Sequence, residues 1–342
     1  MPKGITIKDI AREAGVSITL VSFVMNDRVD ADGKHRYRVS ESTRAKVLEV
    51  ARRLNYQPNN AARSLRQGRS RVIGVILPDL SNIFYGKIVR MLEEITFRNG
   101  YTVLFGSSGE DPGKFASLVK SFMEKDVEGF IVVPVEGSLQ TMIFLRNTGI
   151  PVVVIDRRYK GFRIPTVLTD NDKAMQQALA VLMDTGVRKI GMVSYAMRIS
   201  SMSDREKSFM RTLSARGVEK PEHYIWRLSF DGESLDAAKV ADELIAEGIE
   251  GLVIASNKLA VAIVRELRQK GVRIQKDIRL VCFDYSNIYG LFTPPIPYLE
   301  QPLEEITSEA AKYLFRLIDG KALGEDISSD AEMIVLSGTL HQ

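Results

Sequence analysis

A single cysteine, Cys282, stands among 342 residues. No disulfide can close within the chain, so a reducing compartment, the cytoplasm, is its expected setting. Cys282 lies in the apolar run "RLVCFD", where a free thiol is expected to act as a small buried hydrophobe. Histidine is scarce as well: His35, His223 and His341 are scattered, no cysteine pair accompanies them, and no zinc-ligand spacing results. No run of about 18 apolar residues occurs, and the start "MPKGITIKD" lacks the apolar stretch of a signal peptide. Neither a membrane span nor secretion is expected. Catalytic signatures are missing too. There is no G-x-S-x-G elbow. The stretch "GSSGEDPGKF" (106–115) imitates a phosphate loop, but Ser108 stands where that loop needs glycine and Phe115 where it needs Ser or Thr. "DND" at 170–172 lacks the remaining ligands of a calcium loop. The chain is therefore expected to be no enzyme and to need neither metal nor cofactor.

What is present is unevenly distributed. The formal charge is +4, yet residues 1–71 carry 15 Lys+Arg against 7 Asp+Glu, or +8, which leaves −4 for residues 72–342. A basic head on a mildly acidic body suits a polyanion bound at one end only. Texture changes along the same line. Residues 1–58 are short helical patterns separated by polar turns. Residues 59–71, "NNAARSLRQGRSR", hold four arginines and one large apolar residue, Leu65. From residue 72 apolar runs alternate with amphipathic helices.

The runs 72–77, 101–106, 129–134 and 151–156 read as buried parallel strands, and 189–194, 251–256 and 279–284 as a second set. Helix patterns lie at 84–98, 114–125, 172–185, 204–216, 234–247 and 257–270. Continuous Val/Ile-rich strands between helices imply parallel sheets covered on both faces. Two sets imply two α/β subdomains, with a ligand expected at the carboxyl ends of the strands, where Asp79, Asp156, Asn257 and Asp284 fall.

The amino-terminal stretch "IKDIAREAGVSITLVSFVMN" has a definite geometry. Thr6 is suited to cap a helix over 7–13, Gly15 to end it in a left-handed conformation, and Ser17 to cap a second helix over 18–25. Small Ala11 allows a close crossing, with Val16 and Val21 between the helices. Alanine, glycine and valine at these offsets are what a helix-turn-helix needs.

That stretch, followed by "RVSESTRAKVLEVARRLNYQPNNAARSLRQGRS", closely resembles the lactose-repressor (LacI/GalR) family of bacterial transcription regulators. The resemblance continues through "IGVILPDLSNIFYGKIVRMLEE", "GIPVVVIDR", "TDND", "DREKSFM" and "VCFDY…PPIPYLEQP", over nearly the whole chain and in family order. It implies a small all-α helix-turn-helix head (1–58), a hinge helix and linker (59–71), and a two-lobed α/β body of the type I periplasmic-binding-protein kind (72–342) that binds an effector and dimerises.

By the same resemblance the second helix enters the major groove of operator DNA. Ile7, Ser17, Ile18, Thr19, Ser22, Phe23, Asn26, Ser40 and Thr43 fall on DNA-contacting positions of the head, and Asn59, Ala62, Arg63 and Leu65 on those of the hinge, with Leu65 as a minor-groove wedge. A third helix over 41–54, capped by Ser40, should complete the head core around Leu48 and Leu54. Two departures stand out. Phe23 replaces a residue that is often arginine, so it would touch a thymine methyl or simply pack. "DRVDADGKHRYRVS" (27–40) lengthens the turn before the third helix and brings Lys34, Arg36 and Arg38 together for phosphate contact.

In the body the resemblance assigns effector contacts to Phe84, Tyr85, Asp156, Ser201, Arg205, Phe230, Asn257 and Asp284. An aromatic wall with carboxylates and amides suits a sugar-like ligand. Lys258, standing where an acid is common, suggests a ligand with negative charge or a side chain turned to solvent. The expected partners are double-stranded operator DNA, a small-molecule effector and a second copy of the chain, with no membrane. No leucine heptads follow residue 320, so no tetramerising coiled coil is expected. The competing reading is a sugar-binding protein without a DNA role, which salt-dependent binding to palindromic DNA would separate from a regulator.

Overall fold

The computed structural model describes residues 5–25, 39–56, 69–230, 233–322 and 332–342. The chain divides between Ser70 and Arg71 into a small amino-terminal unit and a large second unit.

The first unit holds α1 (Ile7–Ala14), α2 (Ile18–Met25) and α3 (Glu41–Arg53). At the start of α1 the Asp9 carboxylate accepts from the Thr6 amide and hydroxyl at 2.9 and 2.7 Å. Gly15, at φ 64°, ends α1 in the left-handed region. The Ser17 hydroxyl then accepts from the Leu20 amide at 3.2 Å, and Ser40 does the same for Thr43 at 3.3 Å. Ile10, Ala11, Ala14, Val21, Val24, Val47, Val50 and Ala51 form the buried core. Leu48 is not part of it: 37% of its surface is exposed. The inward stripe of α3 runs through 47, 50, 51 and 54, and residue 48 is one step of about 100° around the helix from 47. Leu54 packs against the core as expected.

The second unit contains two lobes of one design. In the first, β1 (Val72–Leu77), β2 (Thr102–Ser107), β3 (Gly129–Val132), β4 (Val152–Ile155), β5 (Thr166–Thr169) and the late β11 (Met333–Leu336) form a sheet in the order β2-β1-β3-β4-β5-β11. Its helices are α4 (Ile83–Arg98), α5 (Pro112–Met123), α6 (Leu139–Asn147) and α11 (Leu303–Ala322). In the second lobe, β6 (Ile190–Tyr195), β7 (Ile225–Leu228), β8 (Gly251–Ile254), β9 (Arg279–Phe283), β10 (Tyr298–Glu300) and β12 (Thr339–His341) run in the order β7-β6-β8-β9-β10-β12. Helices α7 (Asn171–Asp184), α8 (Ser200–Ser214), α9 (Glu233–Ala246) and α10 (Asn257–Gln269) belong with it. Separate apolar clusters cover the two faces of the first sheet, with Ile73, Ile131 and Val153 on one and Ile76, Phe130 and Val154 on the other.

The chain passes between the lobes three times, after β5, after β10 and after β11. The parallel expectation holds for every strand pair among the described residues except β10 with β12, which is antiparallel. The last strand arrives directly from the other lobe rather than through a covering helix, so nothing forces it into the parallel direction.

Gly74, inside β1, is a packing constraint: a Cβ there would lie 2.9 Å from the rings of Phe122 and Phe130. Gly86, inside α4, has nothing within 4 Å of such an atom. Gly74→Ala should therefore destabilise the body by about 1–3 kcal/mol. Gly86→Ala should stabilise it by about 0.5–1 kcal/mol through helix entropy. Urea unfolding of the full chain checks both signs, and a Gly74→Ala protein as stable as the parent would refute the close-packing account.

Candidate functional site

In the first unit, α2 buries Val21 and Val24 and turns its opposite side outward. Ser17, Ile18, Thr19 and Phe23 are exposed, and Ser22 is half-buried beside them. Phe23 has 39% of its surface exposed and stands outside the buried core, so it does not simply pack there. Ser40 and Thr43 lie at the amino end of α3, joined by a 2.7 Å hydroxyl–hydroxyl hydrogen bond. A helix amino terminus with free amides is a ready phosphate site. Ile7 is half-buried and packs against the head core, which leaves it little surface to offer. Asn26, Lys34, Arg36, Arg38, Asn59, Ala62, Arg63 and Leu65 lie outside the described residues.

In the second unit, the carboxyl ends of the two sheets face each other across a cleft. Asp156 follows β4 and Asp284 follows β9, the fourth strands of their sheets in chain order. Their φ values are 66° and 64°. Each donates its amide to the next strand, Asp156 to the Val167 carbonyl and Asp284 to the Leu299 carbonyl. Two buried non-glycine residues in the left-handed region, at equivalent places in the two lobes, mark a strained functional position.

Around them the cleft is lined by Phe84 and Tyr85 on one side, by Tyr195, Phe230 and Ser201 on the other, and by Arg205. Phe84 and Tyr85 meet edge to face at 4.9 Å. The Tyr85 hydroxyl donates to the Asp156 carboxylate at 3.0 Å. Arg205, 2% exposed, donates from Nε to Asn171 at 2.7 Å and from one terminal nitrogen to the Ala255 carbonyl at 2.5 Å, with its guanidinium 4.1 Å from the Phe283 ring centre. Burial lowers its pKa, opposed by the charges of Asp284 and Asp156. Burial likewise pushes the Asp284 carboxyl up to about 6, with Arg205 and a 2.7 Å hydrogen bond from Gln301 pulling the other way. The space left inside is about 50 Å³, room for roughly one or two waters.

Two lining residues were not anticipated. Arg157 and Glu110 form a bidentate pair at 2.8 and 2.6 Å, both side chains 6% exposed. Burial opposes the charge of Arg157, but Tyr85, Glu110 and Asp156 outweigh it and hold the guanidinium protonated. Glu110 sits in the loop that imitates a phosphate loop. Its signal in the sequence was its place just after the carboxyl end of a strand, where ligands of α/β sheets bind. Gln301 is a third addition, bridging Asp284 and the Thr169 hydroxyl.

Asn257 lies beside the cleft: its side-chain amide donates to Asn82 and to the Tyr285 carbonyl at 3.1 and 3.2 Å, tying the lobes, and its side-chain oxygen is buried without a hydrogen-bond partner. The neighbouring Ser256, the cap of α10, lines the cleft. Lys258 faces neither solvent nor ligand alone: it lies 3.5 Å from Asp79 and 4.5 Å above the Phe230 ring. Other ties between lobes are Lys87 to Glu300 at 2.6 Å and Arg158 to Asp204 at 2.6 Å.

Among the described residues no group of three His, Cys, Asp or Glu is placed to hold a metal, and no helix is long and apolar enough to cross a membrane. Comparison with known proteins agrees with this layout. Residues 6–59 match the bacterial regulatory proteins of the lacI family, and residues 179–337 match a periplasmic binding protein-like domain. The chain is 30% identical over 331 residues to the HTH-type transcriptional regulator RegA of Clostridium saccharobutylicum, covering 94% of both chains. It is 30% identical to the ribose operon repressor of Bacillus subtilis, covering 94% of each. The crystal structure of the lac repressor dimer bound to operator and the anti-inducer ONPF shares its fold, with a TM-score of 0.82 at 21% identity over 99% of this chain and 98% of that one. The helix-turn-helix head, the two-lobed body and this similarity along the full length converge on one assignment: the chain belongs to the lacI family of bacterial regulatory proteins.

Proposed function

We propose that this regulator acts as a homodimeric repressor whose affinity for operator DNA is switched by a sugar-like effector held between the lobes. One observation carries the reading: a buried, polar, aromatic-walled cleft lies at the strand ends of the two lobes, in a chain that also presents the exposed face of a helix-turn-helix. Ser17, Ile18, Thr19, Ser22 and Phe23 are the proposed base-reading face, with Asn26 continuing it. Ser40 and Thr43 at the amino end of α3, and Lys34, Arg36 and Arg38, are proposed for phosphates. Residues 59–71 are proposed as the hinge, with Asn59, Ala62 and Arg63 against DNA and Leu65 inserted in the minor groove. Such an arrangement works in the bacterial cytoplasm, on the nucleoid.

The dimer has a candidate face. Ile83 and Val261, 42% and 43% exposed, share a groove that spans both lobes, and exposed Tyr285 adjoins it. Exposed apolar side chains gathered in one place favour a partner surface, and a two-fold protein suits a two-fold operator. In the cleft, Asp156 and Asp284 would accept ligand hydroxyls, Arg205 would donate to a ligand oxygen, and the rings of Phe84, Tyr85 and Phe230 would pack against the apolar face of a sugar. With about 50 Å³ inside, admitting a ring requires the lobes to part. Their relative angle is therefore the quantity that a ligand changes.

Linkage supplies the first test. If one ligand shifts the lobes and the heads together, operator DNA must change effector affinity by the factor by which effector changes operator affinity. Titration calorimetry with and without operator is expected to give matching factors; equal effector affinity in both conditions would refute the switch. Operator affinity itself should fall steeply with salt.

Phe23→Arg is expected to move the selected operator toward guanine at one position per half-site, by about 1–3 kcal/mol for a bidentate contact. Binding-site selection on both proteins measures it, and an unchanged motif would remove Phe23 from the reading face.

Asp284 gives a pH signature. Its folded-state pKa of about 6 lies above the ordinary 3.8. The folded state thus holds the proton more tightly, and the stability from this group, fully present below 3.8, is lost as pH rises through 6. Asp284→Asn removes that loss. Its stability relative to the parent should improve between pH 4 and pH 7 by up to about 3 kcal/mol. Denaturant unfolding at both values checks this, and a mutational difference independent of pH would show that Asp284 does not titrate there.

A further inference from the structure

We propose that the effector is an uncharged polyhydroxy ring compound and that the cleft discriminates against its phosphate esters and uronic acids. This rests on the reading of the cleft as the effector site and names the class of ligand it takes.

The cations of the cleft are already engaged. Arg157 donates from one terminal nitrogen to Glu110 and the Pro134 carbonyl, and from the other to Glu110 and the Tyr85 hydroxyl, at 2.6–3.3 Å. Its Nε lies 3.4 Å from the Asp156 carboxylate. All four terminal N–H bonds are thus used within one lobe, and the charge is matched by a buried carboxylate. Lys258 is held by Asp79 and the face of Phe230. Arg205 keeps more donors for a guest: two of its five N–H groups are bound, to Asn171 and Ala255, while Asp284 and Asp156 supply the charge around it, and Arg157 keeps only its Nε, which faces Asp156 without a hydrogen bond.

The acids outnumber the cations. Asp79, Glu110, Asp156 and Asp284 line the cleft against Arg157 and Arg205, with Lys258 beside Asp79. Four acids less three cations leave one formal negative charge. Asp79 lies against Lys258, Asp284 stands near Arg205, and Glu110 and Asp156 share the single guanidinium of Arg157, so the excess charge sits there, with Asp156 also accepting from the Tyr85 hydroxyl. A dianionic phosphate brought here would add charge of the same sign to a buried site whose acids already outnumber its cations, which is a costly way to bury a charge. Vicinal hydroxyls meet the opposite situation. They donate to the carboxylates of Asp156 and Asp284 and accept from Arg205 without altering the charge of the site. The sequence hint of an anionic ligand rested on Lys258, and its pairing with Asp79 removes that hint.

The test measures affinities of the full-length protein for ribose, glucose, galactose and fructose, and for ribose 5-phosphate, glucose 6-phosphate, fructose 6-phosphate, glucuronate and galacturonate, by thermal shift and calorimetry. At least one neutral sugar is expected to bind, with its phosphate or acid counterpart at least tenfold weaker. Glu110→Gln, which strips Arg157 of its counter-charge, is expected to narrow that ratio. Asp156→Asn tolerates the left-handed backbone, serves if Glu110→Gln does not fold, and should narrow the ratio in the same way. An anionic counterpart that binds as tightly as its neutral parent, or a ratio unmoved by both variants, would overturn the proposal while leaving the effector reading intact. No binding of any probe at millimolar concentration, with operator binding normal, would overturn the effector reading of the cleft and this proposal with it.

Discussion

Charge taken out of water has to be answered by charge or by hydrogen bonds, and the body of this protein is arranged around that requirement. Arg157, Arg205, Asp156 and Asp284 all lie at the seam of the two lobes with less than a tenth of their surface exposed. None is tolerable there alone. Arg157 is matched by Glu110 from the β2–α5 loop, Arg205 by Asn171 and by the proximity of Asp284, and Asp284 by Gln301 from the segment entering α11. These partners come from different elements, so the strand ends, the loops and the lobe crossings must all be in register for any one of them to be satisfied. Removing one partner would strand the other, a loss that reaches well beyond the contact itself.

The same requirement explains why left-handed aspartates are kept. At the carboxyl end of a parallel strand the backbone must turn sharply while still donating its last amide to the neighbouring strand. Asp156 and Asp284 do both, bonding Val167 and Leu299. Asparagine and aspartate bear this conformation better than most residues, and aspartate alone adds a charge. Geometry and chemistry are thus set at one position in each lobe.

Much of this was legible from the residues alone, and the parts that were not share physical causes. Long Val/Ile runs such as 72–77 announced their strands because both faces are buried. The strand at 333–336 alternates half-buried and exposed residues at a sheet edge and carries no such signal, and β5, β7, β10 and β12 span only three or four residues each. The helix 139–147 was also passed over; within it only Met142 and Leu145 are buried. In the head, the caps at Ser17, Gly15 and Ser40 were readable because capping is local, whereas Leu48 was misplaced because only the third helix's rotation decides which leucine faces inward. In the cleft, Asp156 and Asp284 were marked as strand ends as well as by the family resemblance, and Arg205 by the resemblance alone. Glu110 and Arg157 were not marked, because a bond across 47 residues leaves no trace in local spacing.

The three lobe crossings have a consequence for synthesis. The first lobe takes α11 and β11 from residues 303–336, and the second takes β12 from 339–341. Neither lobe is a continuous piece of chain. A ribosome that has made the first 300 residues has supplied every buried residue of the second lobe's core, Ala174 to Leu299, but not of the first's: the first lobe still lacks an edge strand and the helix that seals one face. Domains that fold as units during synthesis usually do so in order from the amino end. Here that order is reversed: the second lobe's core is complete first, and the first lobe waits for residues 303–336 to close.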